Sequence, residues 1–218
     1  MKIELFDTTL RDGAQARNVS FSFRNKLETV KLLDDLGIDY IEAGNPGSNP
    51  KDIEFFSALE KVELKHAKIV AFGSTRRKDS KVEEDDNLKK LANSFCEIIT
   101  IFGKTWDFHV SDVIRTTLDE NIKMVSESIR YLIDQDKEVF FDAEHFFDGY
   151  KNNPDYALKV LKAAHMAGAT RLILCETNGG CFPEEVAEIT KAVHMAIPDA
   201  LLGIHAHNDI GFGVANSH

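Results

Sequence analysis

Short apolar runs recur along the chain, and each is followed by a stretch in which apolar residues repeat with the period of a helix. Runs of this length bounded by polar residues and glycines are typical of buried strands. Consecutive parallel strands need a crossover connection, which an intervening helix supplies. The pattern therefore predicts a parallel sheet of seven buried strands, at residues 3–6, 40–41, 68–72, 97–102, 139–141, 171–174 and 201–204.

The helices between these strands have recognisable ends. Asn153 stands before Pro154, an arrangement of N-cap and first helical residue, and Gly168 closes the same helix. Pro183 opens the next helix, where two following glutamates complement the positive end of the helix dipole. The first helix is predicted to end at Gly37 and to bury an apolar stripe made of Leu27, Val30, Leu33 and Leu36.

Two architectures repeat strand and helix in this way, an open doubly wound sheet and a closed barrel. Seven repeats in 218 residues give about 31 residues each, which matches a barrel of about 250 residues divided by eight. No GxGxxG or GxxxxGK[ST] string follows the first strand, which removes the usual reason for an open sheet. We therefore predict an α/β fold, a TIM (β/α)8 barrel.

An eighth strand has no counterpart in the pattern, and the sequence ends at His218, within the helix expected after strand 7. We expect residues 1–218 to form one domain, a TIM barrel truncated after strand 7 and lacking the eighth β/α unit. The exposed edges of strands 1 and 7 would favour pairing with another chain or aggregation.

Composition and charge argue against several classes of protein. The chain is 43% hydrophobic and 28% charged, as is usual for a globular domain, and its net charge of −10 disfavours nucleic acid or an anionic membrane as a partner. The residues from Met1 to Asp7 contain no signal-peptide pattern and no apolar run is long enough to span a bilayer, so we expect a cytoplasmic protein. The three cysteines have no CxxC spacing and indicate buried thiols.

Two polar strings near the ends of the chain read as parts of one metal site. Residues 7–15 are DTTLRDGAQ, and residues 205–209 are HAHND. If His205 and His207 lie on one strand, their spacing directs both imidazoles to the same side. A carboxylate from the first string would complete a set of three ligands, provided that the fold brings the two ends together.

Other polar residues follow the predicted strands, where the active sites of such barrels are found. Alternation along strand 5 places Asp142 and Glu144 on one side and His145 on the other, so at least one carboxylate is expected to face the metal cavity. The basic cluster at residues 76–78 fits a solvated loop better than a phosphate contact.

The two terminal strings resemble the metal-dependent Claisen-condensing family that includes 2-isopropylmalate, homocitrate and citramalate synthases and the related hydroxymethylglutaryl-CoA lyases. The resemblance extends from Ile3 to about Ser217. The chain is similar to the citramalate synthase branch in four further strings: AFGSTRR at 71–77, TIFGKTWD at 100–107, DAEHFFDGY at 142–150 and CETNGG at 175–180. One departure is Glu176, which stands where that branch has an aspartate.

The resemblance implies a site for a divalent metal ion (Mn, Mg or Zn) held by Asp12, His205 and His207. The metal would bind a 2-oxo acid, most simply pyruvate, and polarise its carbonyl as a Lewis acid. Acetyl-CoA would add to that carbonyl, and thioester hydrolysis would release citramalate and CoA, as in isoleucine biosynthesis. The family also implies a homo-oligomer.

The resemblance further implies roles for three residues at strand ends. Arg11 would stabilise the negative charge of the acetyl-CoA enolate and of the new alkoxide. Glu144 would hold Arg11 or the acetyl group in place and take part in proton transfer. Thr177 would donate a hydrogen bond to the substrate carboxylate.

Simpler interpretations stand beside these roles. Asp12 could cap a turn, the two histidines could be satisfied core residues, and Arg11 could form a purely structural ion pair with Glu144. Other functions on the same fold are 2-isopropylmalate or homocitrate synthesis, lyase-type cleavage of hydroxymethylglutaryl-CoA, a metal-dependent hydrolase or isomerase, and an inactive metal-binding fragment. Because the family's eighth strand and C-terminal segments have no counterpart here, we expect metal affinity with weak or absent synthase activity.

Overall fold

The computed structural model describes residues 3–218; Met1 and Lys2, which entered the argument against a signal peptide, lie outside the described residues. All strand pairings in the sheet are parallel, and the strand order is the order along the chain. This confirms the predicted α/β architecture. The seven strands are β1 (Phe6–Asp7), β2 (Tyr40–Gly44), β3 (Lys68–Ser74), β4 (Ile98–Lys104), β5 (Glu138–Glu144), β6 (Arg171–Glu176) and β7 (Leu202–Ala206).

The helices connect these strands, and the helix between Asn153 and Gly168 begins and ends where the sequence predicts. The Asn153 side chain accepts a hydrogen bond from the amide of Tyr156 at 3.2 Å, and Gly168 ends that helix with a φ of +109°, a left-handed conformation that suits glycine. The helices are α1 (Phe23–Asp35), α2 (Pro50–Leu59), α3 (Asp86–Ala92), α4 (Leu118–Ile133), α5 (Phe146–Asn152), α6 (Pro154–Ala167), α7 (Pro183–Ala196) and α8 (Gly213–Asn216).

The sheet curls into a barrel. In a flat sheet, the four strand spacings between β1 and β5 would separate their side chains by about 19 Å, yet the ring centroids of Phe6 and Phe140 are 6.1 Å apart. Across the same interior, Arg171 Nε lies 3.0 Å from Glu4 Oε2. Six strands contribute to one interior cluster, which consists of Phe6, Tyr40, Val70, Ile98, Phe140 and Ile173.

A larger core lies between the outer face of the sheet and the helices. Helix α1 contributes Val30, which is fully buried, with Leu27 and Leu33 packed partly against the core. The predicted stripe is wrong at Leu36, which is 76% exposed. The helix ends at Asp35, so Leu36 serves as the C-cap and does not continue the buried face.

The prediction that all seven strands are buried is wrong for the two outer ones. Within residues 3–218, β1 pairs only with β2 and β7 only with β6, and both strands are half-buried. Leu5, just before β1, is 53% exposed. A strand with a neighbour on one side has less of its surface covered. None of the helices in the described part of the chain has the length and apolar character needed to cross a membrane.

Candidate active site

The two terminal strings meet at the carboxyl end of the barrel. His205 lies on β7 and His207 just beyond it, while Asp12 follows β1. The Nε2 atoms of His205 and His207 lie 3.7 Å and 3.5 Å from Oδ2 of Asp12. The three residues each offer a ligand atom, and these atoms lie within 4.8 Å of one another. The curled sheet thus brings together residues almost two hundred positions apart.

A compact turn presents Asp12 toward the histidines. The carbonyl of Thr8 accepts hydrogen bonds from the amides of Arg11 and Gly13, both at 3.1 Å, and Leu10, which lies inside this turn before Arg11, is buried. Asp12 precedes a short 3-10 helix, but its side chain makes no capping hydrogen bond there. The alternative that Asp12 only caps a turn is therefore not what the structure shows. The other aspartate of the string, Asp7, binds the amide of Thr9 at 3.0 Å.

This donor set fits a divalent cation. One carboxylate and two imidazoles leave further coordination positions open, as catalytic metal sites require. His205 lowers the pKa of Asp12 to about 2, and the guanidinium of Arg11 contributes to the shift. Asp12 therefore carries a negative charge at neutral pH, which is the form that binds a metal. The assignment of Asp12, His205 and His207 as metal ligands stays a prediction.

Arg11 lies beside these ligands and is held from several sides. Its Nε donates to Oε2 of Glu42 at 2.5 Å, and Nη1 donates to Oδ1 of Asp12 at 2.9 Å. Nη2 lies 3.9 Å from Oδ2 of Asp142, and the guanidinium stacks 4.1 Å from the ring centroid of Phe72. Burial alone would lower the pKa of Arg11, but the surrounding carboxylates, Glu42 first, raise it above its ordinary value. Arg11 is a permanently charged, oriented cation.

Glu42 is a site residue to which the sequence analysis gave no role. It lies in the middle of β2, is fully buried, and has a second carboxylate oxygen without a hydrogen-bond partner among the described residues. Burial raises its pKa, although Arg11 opposes the shift. The sequence does contain a signal for this role, which is a carboxylate inside an otherwise apolar strand. A buried charge needs a partner, so such a carboxylate indicates a nearby cation.

Glu144 is expected to hold either Arg11 or the acetyl group. The structure does not pair it with Arg11 among the described residues, and its role toward the acetyl group stays a prediction. In the part of the chain that the structure describes, the carboxylates paired with Arg11 are Asp12, Glu42 and Asp142, whereas Glu144 binds Nζ of Lys104. Lys104 and Glu144 are direct partners in the register of β4 and β5. Glu144 lies two residues beyond Asp142, toward the end of the strand. Asp142 is therefore the carboxylate of β5 that lies near Arg11.

Thr177 lies at the end of β6 and contacts the loop after β5. Its Oγ1 accepts a hydrogen bond from the amide of His145 at 2.9 Å. A hydroxyl that accepts still has its own hydrogen to donate, so the predicted bond to a substrate carboxylate stays a prediction. His145 has a φ of +54°, and its Nδ1 lies 3.2 Å from Oδ2 of Asp148. This arrangement agrees with a structural role for His145.

The basic cluster is only partly a solvated loop. Arg76 is buried, and its Nη2 lies 2.8 Å from Glu120 and 2.7 Å from Glu127, both on α4. The solvated-loop prediction is wrong for this residue because two carboxylates of the neighbouring helix neutralise it. Cys96, Cys175 and Cys181 are free and buried, as predicted.

The chain matches the model of the HMGL-like family over residues 2–218. It is 53% identical to the (R)-citramalate synthase of Aquifex aeolicus over 216 residues, which are 99% of this chain and 41% of that protein. It is 30% identical to the homocitrate synthase of Saccharolobus islandicus (strain L.S.2.15 / Lassen #1) over 220 residues, which are 100% of this chain and 45% of that protein.

Solved structures give the same fold. The HMG-CoA lyase of Bacillus subtilis superposes with a TM-score of 0.80 at 17% sequence identity, over 99% of this chain and 72% of that one. The chain spans less than half the length of the curated relatives above. The family model, the barrel and the residues at its carboxyl end agree, and the chain belongs to the HMGL-like family.

Proposed function

We propose that this chain carries the metal- and arginine-binding part of an active site that condenses acetyl-CoA with pyruvate to citramalate and CoA. One observation carries the proposal: Arg11 lies beside the convergent side chains of Asp12, His205 and His207. A fixed cation next to a metal-ligand set is what a reaction through enolate and alkoxide anions requires. In terms of reaction class, this is an acyltransferase.

The metal would be held by Asp12, His205 and His207. When bound, a divalent ion such as Mn, Mg or Zn supplies Lewis-acid polarisation of the 2-oxo acid carbonyl. The ligand types alone do not select among these metals, since carboxylate and imidazole suit all three to different degrees.

Arg11 stabilises the anionic oxygen that develops during carbon–carbon bond formation. Glu42, Asp142 and the ring of Phe72 hold the guanidinium before substrate arrives. A charge oriented in advance needs little rearrangement when the oxyanion forms, which is the main source of electrostatic catalysis. Glu42 therefore acts through Arg11 as a positioning residue.

Glu144 and Thr177 complete the proposed machinery. Lys104 holds the carboxylate of Glu144, which is half-buried at the mouth of the barrel. There it would accept a proton from the methyl group of acetyl-CoA, a task of general-base catalysis. Thr177 donates its hydroxyl hydrogen to the carboxylate of the 2-oxo acid.

Sequence identity supports pyruvate as the acceptor. The chain is 53% identical to a citramalate synthase and 30% identical to a homocitrate synthase. We extend the proposal to a cytoplasmic homo-oligomer that serves isoleucine biosynthesis, in which residues 1–218 form part of the catalytic barrel domain. Size-exclusion chromatography with light scattering tests the oligomeric state.

Calorimetry of the 218-residue chain tests the proposed substrate site. We expect pyruvate to bind only when Mn²⁺ is present, and 2-oxoisovalerate and 2-oxoglutarate to bind more weakly. Arg11→Lys should weaken pyruvate binding, because an ammonium cannot form the same forked contacts. Pyruvate binding that ignores the metal, or no binding with it, would contradict the proposal.

A steady-state assay of free CoA release tests the reaction itself. The relatives are more than twice as long as this chain, so we expect the isolated chain to turn over weakly or not at all. Normal turnover of acetyl-CoA and pyruvate by the 218 residues would overturn that expectation. Cleavage of hydroxymethylglutaryl-CoA by the same chain would instead assign a lyase.

A further inference from the structure

A second set of metal-binding side chains lies inside the barrel, next to the site described above. Asp142 on β5, Cys175 on β6 and His205 on β7 each offer a ligand atom, and the three atoms lie within 4.8 Å of one another. The synthase chemistry gives the thiol of Cys175 no role.

The strands direct all three side chains to the interior. Asp142 lies two residues after Phe140, and Cys175 two residues after Ile173, and both of these apolar residues belong to the interior cluster. Residues two apart on a strand share a face. Cys175 and His205 are direct partners in the register of β6 and β7. Asp142 and Cys175 are each 7% exposed, and the side chain of His205, at 19%, gives the set an edge toward solvent.

Polar atoms without partners line the same interior. In the described part of the chain, Oγ1 of Thr100 and Oε1 of Glu42 are buried and have no hydrogen-bond partner. Thr100 and Phe140 are partners in the register of β4 and β5. Buried polar groups usually find a partner, so the barrel interior holds, beside its apolar cluster, polar atoms that are available to a polar guest.

The two sets differ in chemistry and share one residue. Asp12, His205 and His207 offer one oxygen and two nitrogens, whereas Asp142, Cys175 and His205 replace one nitrogen by sulfur. A thiolate favours Zn²⁺ and softer ions such as Cd²⁺, while carboxylate and imidazole also accept Mn²⁺. A neutral imidazole coordinates through one nitrogen because the other carries the proton, so His205 can serve one set at a time.

We propose that Asp142, Cys175 and His205 form a second metal site, selective for a thiophilic divalent cation, and that its occupation removes His205 from the first site. On binding, the S–H bond of Cys175 breaks, a sulfur–metal bond forms, and the proton passes to the solvent. A thiophilic cation such as Cd²⁺ bound at the second site would thereby displace Mn²⁺ by taking the shared ligand His205.

Titration of the 218-residue chain with Cd²⁺ tests the site directly, because a thiolate–cadmium bond has a charge-transfer band in the ultraviolet. The wild-type chain should develop this band with one equivalent of Cd²⁺. Cys175→Ser should abolish the band, whereas Cys96→Ser and Cys181→Ser, which remove the other two buried thiols, should retain it. Circular dichroism checks that each variant folds. A band that survives Cys175→Ser, or is absent from the wild type, would overturn the proposal.

Competition with Mn²⁺ tests the sharing of His205. Excess Mn²⁺ should suppress the cadmium band in the wild type. In His207→Ala the first site is weakened and the second set is intact, so the band should persist and resist Mn²⁺. If Cys175→Ser fails to fold, Asp142→Asn provides the second test, since it should weaken Cd²⁺ binding without changing the sulfur. A wild-type band that ignores Mn²⁺ would contradict the shared ligand. Each readout is a binding signal, so a failed synthase assay would leave this test intact.

Discussion

Nε of Arg11 lies 2.5 Å from Oε2 of Glu42, and the side chain of Glu42 is completely buried. Removing one partner of a buried ion pair leaves the other charge without compensation, which costs about 3–5 kcal/mol. Asp12 and Asp142 stay near Arg11 and reduce that cost. We expect Glu42→Ala to lower the free energy of unfolding by an amount near the lower end of this range, measured by urea denaturation.

The exposed pair of Arg24 and Glu28 is the matched control for this prediction. Their side chains are 86% and 51% exposed, and the residues are one helical turn apart. An exposed pair of this kind contributes about 0.3–0.5 kcal/mol. If Glu28→Ala cost as much as Glu42→Ala, burial of the Arg11 pair would not be the source of its effect.

The metal site predicts a loss of affinity that depends on position. His205→Ala removes a proposed ligand, and we expect Mn²⁺ to bind more weakly by about tenfold or more, since even changes outside the ligand set cost about 10–100-fold. His194→Ala, on the exposed face of α7, should leave the affinity unchanged. The measurement is the free Mn²⁺ signal in electron paramagnetic resonance. Equal affinities for the two variants would contradict the ligand assignment.

Gly149 lets helix α5 approach the loop after β4. A Cβ atom at this position would lie 2.6 Å from the carbonyl oxygen of Thr105 and 2.9 Å from Cα of Trp106, both rigid backbone atoms. Overpacking of this kind costs about 1–3 kcal/mol. We expect Gly149→Ala to lower the thermal midpoint. Gly180→Ala should not, because a Cβ there would meet nothing within 4 Å.

The hydrogen bonds of Asp34 lead us to expect that the stability of the fold depends on pH. It accepts hydrogen bonds from the amides of Lys65, His66 and Ala67, all at 2.8 Å. Burial alone would raise the pKa of Asp34, but these donors outweigh it and lower the pKa. A depressed carboxyl pKa gives stability that is present above the unfolded value of about 3.9 and is lost as the pH falls through the folded value.

The matching experiment compares two neighbouring aspartates. The loss in unfolding free energy between about pH 5 and pH 2 should be smaller in Asp34→Asn than in the wild type, because the titrating group is gone. Asp35→Asn removes an exposed carboxylate that contacts Lys65, and it should leave the pH profile close to the wild type. If the pH dependence of the unfolding free energy were unchanged in Asp34→Asn, the three amide contacts would not be the source of the stability lost at low pH.

Local patterns in the sequence determined the strands, the helix caps and the parallel order. Apolar periodicity, Asn153 before Pro154, and Gly168 act over a few residues, so they are readable without the fold. The spacing of His205 and His207 is local in the same sense. The length of the strand–helix repeat predicted a barrel, and a barrel brings the two histidines close to Asp12.

Only the tertiary structure decided which charges meet. Arg11 pairs with Glu42 on the neighbouring strand and not with Glu144. The register between the strands sets how far along the barrel axis each carboxylate lies, and so which of them Arg11 can contact. Such register depends on packing across the whole sheet, which no local pattern encodes. The same packing placed Cys175 beside Asp142 and His205, a grouping that no local pattern indicates.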